Sequence, residues 1–244
     1  MNKFLSFLLV LALTLCSANA QRTYVLVTGV SRYQNQDNNL QQATKDAKAF
    51  KAVMEQHTKD VTILTSMYAN HSNILAKLRA ICNRATSQDR IVFYFSGHGF
   101  PGGIVAYDKA IYYQEITQLL ASSAAKDKIV YVDACHAGSV ANKNATGSYD
   151  VVKSAAINSN MIFFMSCRGD EYSRESAWIG KGYFTKSLLK GLRGKADVDG
   201  DKAITVIELF NYIYKDVLNS TQDRPQHPQL IAPKNCHNHV LLQW

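Results

Sequence analysis

The chain has 244 residues, 47% hydrophobic and 10% aromatic, which is enough to bury a substantial core and too apolar for a disordered or fibrous protein. Its formal charge of +8 is scattered, with no run of five basic residues and no zinc-finger or helix-turn-helix spacing, so nucleic-acid binding is not expected.

Residues 1–20 read as a secretion signal. Lys3 supplies the positive start, Phe4 to Leu15 form an apolar stretch too short to cross a bilayer comfortably, and Ala18-Asn19-Ala20 gives the small-x-small cleavage pattern. Cys16 raises a lipoprotein alternative, opposed by the bulky Leu15 before it. Export is therefore expected, to the exterior or the periplasm, with no membrane span in the mature chain. Residues 21–244 then suit one domain.

A short β run, Tyr24 to Thr28, stops at Gly29. Leu40, Ala43, Ala47, Phe50, Val53 and Met54 give helical spacing to Asn38 through Gln56. Val61 to Leu64 reads as a strand, and Ser72 as the N-cap of a helix reaching Ala85. Arg90 to Phe95 is a third strand ending at His98, and Pro101-Gly102-Gly103 marks a loop. A helix around Tyr113 to Ser122 precedes a fourth strand, Ile129 to Val132, which ends at Cys135. Ala141 to Tyr149 is small and polar and reads as an exposed loop. Beyond it come a strand at Met161 to Met165, helices at Phe184 to Leu192 and Glu208 to Leu218, and a last strand near Val240 to Leu242. Alternation of strands and helices predicts an α/β protein with a mostly parallel six-stranded sheet covered on both faces.

Two strand ends carry the chemistry. Phe93-Tyr94-Phe95-Ser96-Gly97-His98-Gly99 ends in a histidine, and Val130-Tyr131-Val132-Asp133-Ala134-Cys135-His136-Ala137-Gly138 in a cysteine. Carboxyl ends of parallel strands share one sheet edge, so the pair reads as a base and a thiol nucleophile. Only the thiolate attacks a carbonyl carbon, and His98 would take its proton and later protonate the leaving amine. Glycines at 99 and 138 allow close backbone approach, which makes the amides of Gly99 and Cys135 candidate oxyanion donors. His136 is a poorer base candidate, because neighbours on a turn usually point apart. With Cys135 kept as a free thiol, Cys82, Cys167 and Cys236 are an odd three, and no complete disulfide framework is expected.

These two motifs resemble the active-site motifs of caspase-like cysteine peptidases, specifically the metacaspase-like branch. Thr44-Lys45-Asp46-Ala47 resembles the family's Asn-Asp-Ala segment at its first helix. Asp170-Glu171-Tyr172-Ser173 with Glu175, Gly182-Tyr183-Phe184-Thr185 and Leu188 to Leu192 are similar to later segments, so the likeness spans nearly the whole mature chain. It implies a three-layer α/β/α sandwich and a cysteine endopeptidase. Caspases themselves carry Gln two residues before the cysteine and Arg after it, whereas this chain has Asp133 and His136. An acid at that position resembles the floor of the metacaspase S1 pocket and implies substrates with Arg or Lys at P1, held by charge-assisted hydrogen bonds. The likeness also places Ser96 and Asp46 in that pocket. Capping a turn is the alternative role for Asp133, and a helix-surface carboxylate that for Asp46. Family members are often processed by self-cleavage, for which Lys143 and Lys153 are candidate positions.

Residues 197–208 follow the spacing of a calcium-binding EF-hand loop. Asp197, Asp199, Asp201, Thr205 and Glu208 occupy positions 1, 3, 5, 9 and 12. Lys202 stands where glycine normally makes the sharp turn, at a cost of about 1 kcal/mol for a left-handed residue. Calcium is thus a possible cofactor, and an acidic turn before a helix is the alternative. Two other functional classes fit the motifs: a non-catalytic binding or regulatory module of the same fold, and another thiol amidase.

Overall fold

The computed structural model describes residues 21–100, 102–136, 148–167, 182–223 and 225–244, with only the backbone at 135, 136, 148 and 149. The signal segment, Lys143 and the Asp170–Glu175 motif lie outside these residues. Strands β1 (Thr23–Gly29), β2 (Val61–Thr65), β3 (Arg90–Phe100), β6 (Asp127–His136), β7 (Met161–Met165) and β9 (Gln229–Ile231) form the main sheet in the order β2-β1-β3-β6-β7-β9. Every pairing on that path is parallel except β7 with β9. Two further strands, β4 (Gly103–Val105) and β5 (Ala110–Tyr112), extend the end of β3 as antiparallel ladders.

Helices α1 (Ala43–Met54), α5 (Tyr183–Lys190) and α6 (Val206–Ser220) cover one face, and α2 (His71–Arg84), α3 (Tyr113–Ala121) and α4 (Ser148–Ser159) the other. The strands divide their side chains accordingly. Val92 and Tyr94 of β3 and Ile129 and Tyr131 of β6 join the α1/α5/α6 core, while Ile91, Phe93, Phe95, Val130 and Val132 join the other. Burial on both faces explains why these strands read as unbroken apolar runs. The three-layer α/β/α class and the mostly parallel six-stranded sheet are as predicted.

Several boundaries differ from the sequence reading. The expected helix from Asn38 is in fact a 3-10 turn at Gln36–Asn38 followed by α1, because Asn35 and Asn39 make local side-chain bonds that compete with helix. Asn70 rather than Ser72 caps α2, its side chain accepting from the Asn73 N–H. Ser148 and Tyr149 lie in α4, not in a loop, and Lys153 is an exposed residue of that same helix. The last predicted strand, β10 (Val240–Gln243), forms, but it pairs with β8 (Ala203–Thr205) in a separate two-stranded sheet. The sixth main strand is the unpredicted β9, a three-residue edge strand flanked by a proline and too short for a period-2 signal.

Candidate active site

The register of β3 on β6 pairs His98 with Cys135, Ser96 with Asp133 and Gly99 with His136. Paired residues of parallel strands share a face of the pleat, so positions 96, 98, 133 and 135 lie together on the α1/α5/α6 side at the carboxyl edge.

His98 is 9% exposed and is held from the β1–α1 connection. Its Nε2 lies 2.8 Å from the carbonyl oxygen of Asn38, its backbone N–H donates to the Tyr33 hydroxyl at 2.7 Å, and the Tyr33 ring sits 5.0 Å from the imidazole. A carbonyl only accepts, so Nε2 carries the hydrogen in the neutral ring and Nδ1 keeps the lone pair. Backbone N–H directions alternate along a strand. With the His98 N–H turned to Tyr33 on the β1 side, that of Gly99 faces β6 and the Cys135 end. Tyr33 and Asn38 escaped the sequence reading. The only hint was the polar run Asn35 to Asn39 just after the break at Gly29.

Next to the paired positions 98 and 135, two carboxylates converge from different elements. Asp133 Oδ2 accepts the Thr185 hydroxyl at 2.6 Å and the Thr185 backbone N–H at 3.1 Å. Asp46, in the first turn of α1, faces the same space: the ideal Cβ position of Gly182 lies 2.6 Å from Asp46 Oδ2 and 2.7 Å from Asp133 Oδ2. Gly182 therefore keeps open a gap that any side chain would close. Ser96, buried on β3, sits beside Asp133 in register. The three residues that the resemblance placed in one pocket thus meet in space. Asp133 also caps α5, whose N-cap Gly182 has no side chain to do so. The capping alternative is real, but it serves a helix across the sheet and not a local turn.

Burial pushes the Asp46 carboxyl up to about 8, helped by the neighbouring Asp133 and opposed by Lys45. Asp133 is also raised by burial, with the two Thr185 donors pulling the other way. Asp46 therefore keeps its proton at neutral pH.

The acidic loop before α6 is tightly turned. Oxygens of Asp197, Asp199 and Glu208 lie within 4.8 Å of one another, and Lys202 adopts the expected left-handed conformation at φ 65°. All five predicted ligands carry local hydrogen bonds: Asp197 accepts the Gly200 and Lys202 N–H groups, Asp199 that of Asp201, Asp201 that of Ala203, and Thr205 and Glu208 form a capping box. Three of the five predicted ligands converge on one point. Cys82, Cys167 and Cys236 are buried.

The caspase-domain family model matches residues 22–239, nearly the whole described chain. The chain belongs to the caspase-domain family. Members of this family are typically cysteine peptidases, so hydrolase and protease are its family-level descriptions. A solved Geobacter sulfurreducens protein superposes with a TM-score of 0.65 at 15% identity, covering 89% of this chain and 96% of its own. That likeness is one of fold alone. No curated protein matches significantly. No described helix of this caspase-domain protein is long and apolar enough to cross a membrane.

Proposed function

We propose that this protein is an exported cysteine endopeptidase that cleaves after Arg or Lys. The pairing of His98 with Cys135 across adjacent strands carries the reading, because it aligns a base and a thiol at one sheet edge. His98 Nδ1 takes the Cys135 thiol proton while Nε2 stays on the Asn38 carbonyl, which holds the ring in place. The thiolate adds to the scissile carbonyl, and the amides of Gly99 and Cys135 receive the developing oxyanion. Imidazolium Nδ1–H then protonates the leaving amine as the C–N bond breaks. Water, deprotonated by the same nitrogen, hydrolyses the thioester and regenerates the thiol. Asp133, Asp46 and Ser96 form the pocket for the P1 side chain, where two carboxylates favour a cation. A non-catalytic binding module would have no need of a base and a thiol aligned in this way.

We further propose that Asp197, Asp199 and Glu208 hold a calcium ion, which would neutralise three carboxylates brought close together and brace the turn before α6.

A panel of fluorogenic peptides with Arg, Lys, Asp or Asn at P1, assayed with and without calcium, tests both readings. Arg and Lys peptides should be cleaved by the wild type and not by Cys135→Ala. Cleavage after Asp alone would overturn the P1 assignment, and turnover of none would favour the binding module. Calcium should raise the melting temperature of wild type but not of Asp199→Asn.

A further inference from the structure

Thr185 lies 0% exposed at the start of α5 and is the only described residue that hydrogen-bonds the Asp133 side chain. Its hydroxyl has a single proton, and an ionised carboxylate can only accept. With that proton directed to Asp133 Oδ2 at 2.6 Å, the remaining contact of Thr185 Oγ1, 2.6 Å from the Tyr94 hydroxyl, has Tyr94 as the donor. Tyr94 is itself wholly buried, stacked on Phe50 of α1 at 4.3 Å between ring centroids. A directed chain therefore runs from Tyr94 on β3 through Thr185 on α5 to Asp133 on β6, tying three elements to one oxygen.

Nothing comparable holds Asp46, whose carboxylate accepts no hydrogen bond from the described residues. The two acids facing Gly182 are thus unequal. Among the described residues, one takes two donors on Oδ2 and none on Oδ1, and the other takes none.

We propose that Thr185, oriented by Tyr94, is a positioning residue that sets the specificity of the P1 pocket by fixing the orientation of the Asp133 carboxyl group. This inference rests on the reading of Asp133 as a substrate-binding group. The two Thr185 donors stabilise the charged form against burial, which otherwise raises Asp133. Among the described residues, groups that face Asp133 are Asp46 from α1, Ser96 and Tyr94 from β3 and Thr185 from α5, and Lys45 neighbours Asp46. Losing the hydroxyl therefore leaves Asp133 easier to protonate and less well aimed, which weakens binding of a cationic side chain and leaves the thiol chemistry alone.

The test compares Thr185→Val, Thr185→Ser, Tyr94→Phe and Asp133→Asn with wild type, using an Arg-P1 peptide across pH 5 to 9 and iodoacetamide alkylation of Cys135. Thr185→Val should raise KM about tenfold with kcat nearly unchanged, because a charge-assisted bond is lost outside the reacting atoms. The acid limb of its 1/KM profile should move to higher pH, and Thr185→Ser should restore both. Tyr94→Phe should shift KM in the same direction by a smaller factor, and it decides the matter if Thr185→Val does not fold. Alkylation of Cys135 should proceed at the wild-type rate in the Thr185 and Tyr94 variants. An unchanged KM and pH profile in Thr185→Val, or in Tyr94→Phe where the first is unfolded, overturns the proposal while Asp133→Asn still abolishes Arg cleavage. Full Arg cleavage by Asp133→Asn instead overturns the pocket reading beneath it.

Discussion

Asp46 shows how one carboxylate can be costly to the fold and useful to the site. It is an ordinary first-turn helix acid by position, yet burial and the facing Asp133 hold its proton on until about pH 8. The unfolded chain loses that proton near 4, so between about pH 4 and 8 the native state binds more protons than the unfolded one. Stability contributed by the protonated group is complete below that window and is lost as pH rises through it. Asp46→Asn should therefore raise the melting temperature at pH 8 more than at pH 5, as measured by thermal unfolding in both buffers. If Asp46 binds a basic P1 side chain as proposed, the bound cation displaces the same proton, so KM for Arg peptides should fall as pH rises from 6 toward 9 in wild type. In Asp46→Asn that slope should flatten.

At the scale of elements, the site depends on how closely α1 and α5 approach the sheet. Gly29 ends β1 against α1, and an added Cβ would lie 2.5 Å from Ala47 Cβ and 2.6 Å from the Ala43 carbonyl oxygen. Gly29→Ala should push α1 outward and cost about 1–3 kcal/mol in urea unfolding, the usual penalty of overpacking. Because Asp46 rides on the same helix turn, the variant should also raise KM for basic peptides, read in the same assay. The helix itself was legible from its apolar spacing at Ala43, Ala47, Phe50, Val53 and Met54. Its start was not, since Asn35 and Asn39 bind backbone N–H groups locally and shape the turn that offers the Asn38 carbonyl to His98.

Across the whole molecule, the carboxyl edge carries the proposed site and the opposite edge is clamped. Arg90 at the start of β3 pairs with Asp127 at 2.9 Å and donates to the Val240 and Leu241 carbonyls, at 2.7 and 2.6 Å. These contacts fasten β10, and with it the β8–β10 ladder that flanks the acidic loop, to the central sheet. Both charged groups are nearly buried, at 11% and 7% exposure. Arg90→Leu should therefore cost roughly 3–5 kcal/mol, whereas Arg90→Leu with Asp127→Leu should recover much of it. Chemical denaturation of the single and double variants measures this. Activity per folded molecule should stay near wild type, because the clamp lies a full strand length from His98.

The sequence by itself determined the fold class, the two strand ends and the candidate dyad. Each is a local property: an apolar run of strand length, a reactive residue at its end, small residues just after. The acidic loop was legible for the same reason, as a spacing within twelve residues. Tertiary structure decided what lies between distant segments. It chose β9 over β10 as the sixth strand of the main sheet, set Asn38 and Tyr33 on His98, and joined Asp46, Asp133 and Thr185 around the gap at Gly182. Such contacts depend on strand order and helix approach, which no periodicity along the chain encodes. Asp133 is the residue where the two meet: its place two before Cys135 is written in the sequence, and its partner is given only by folding.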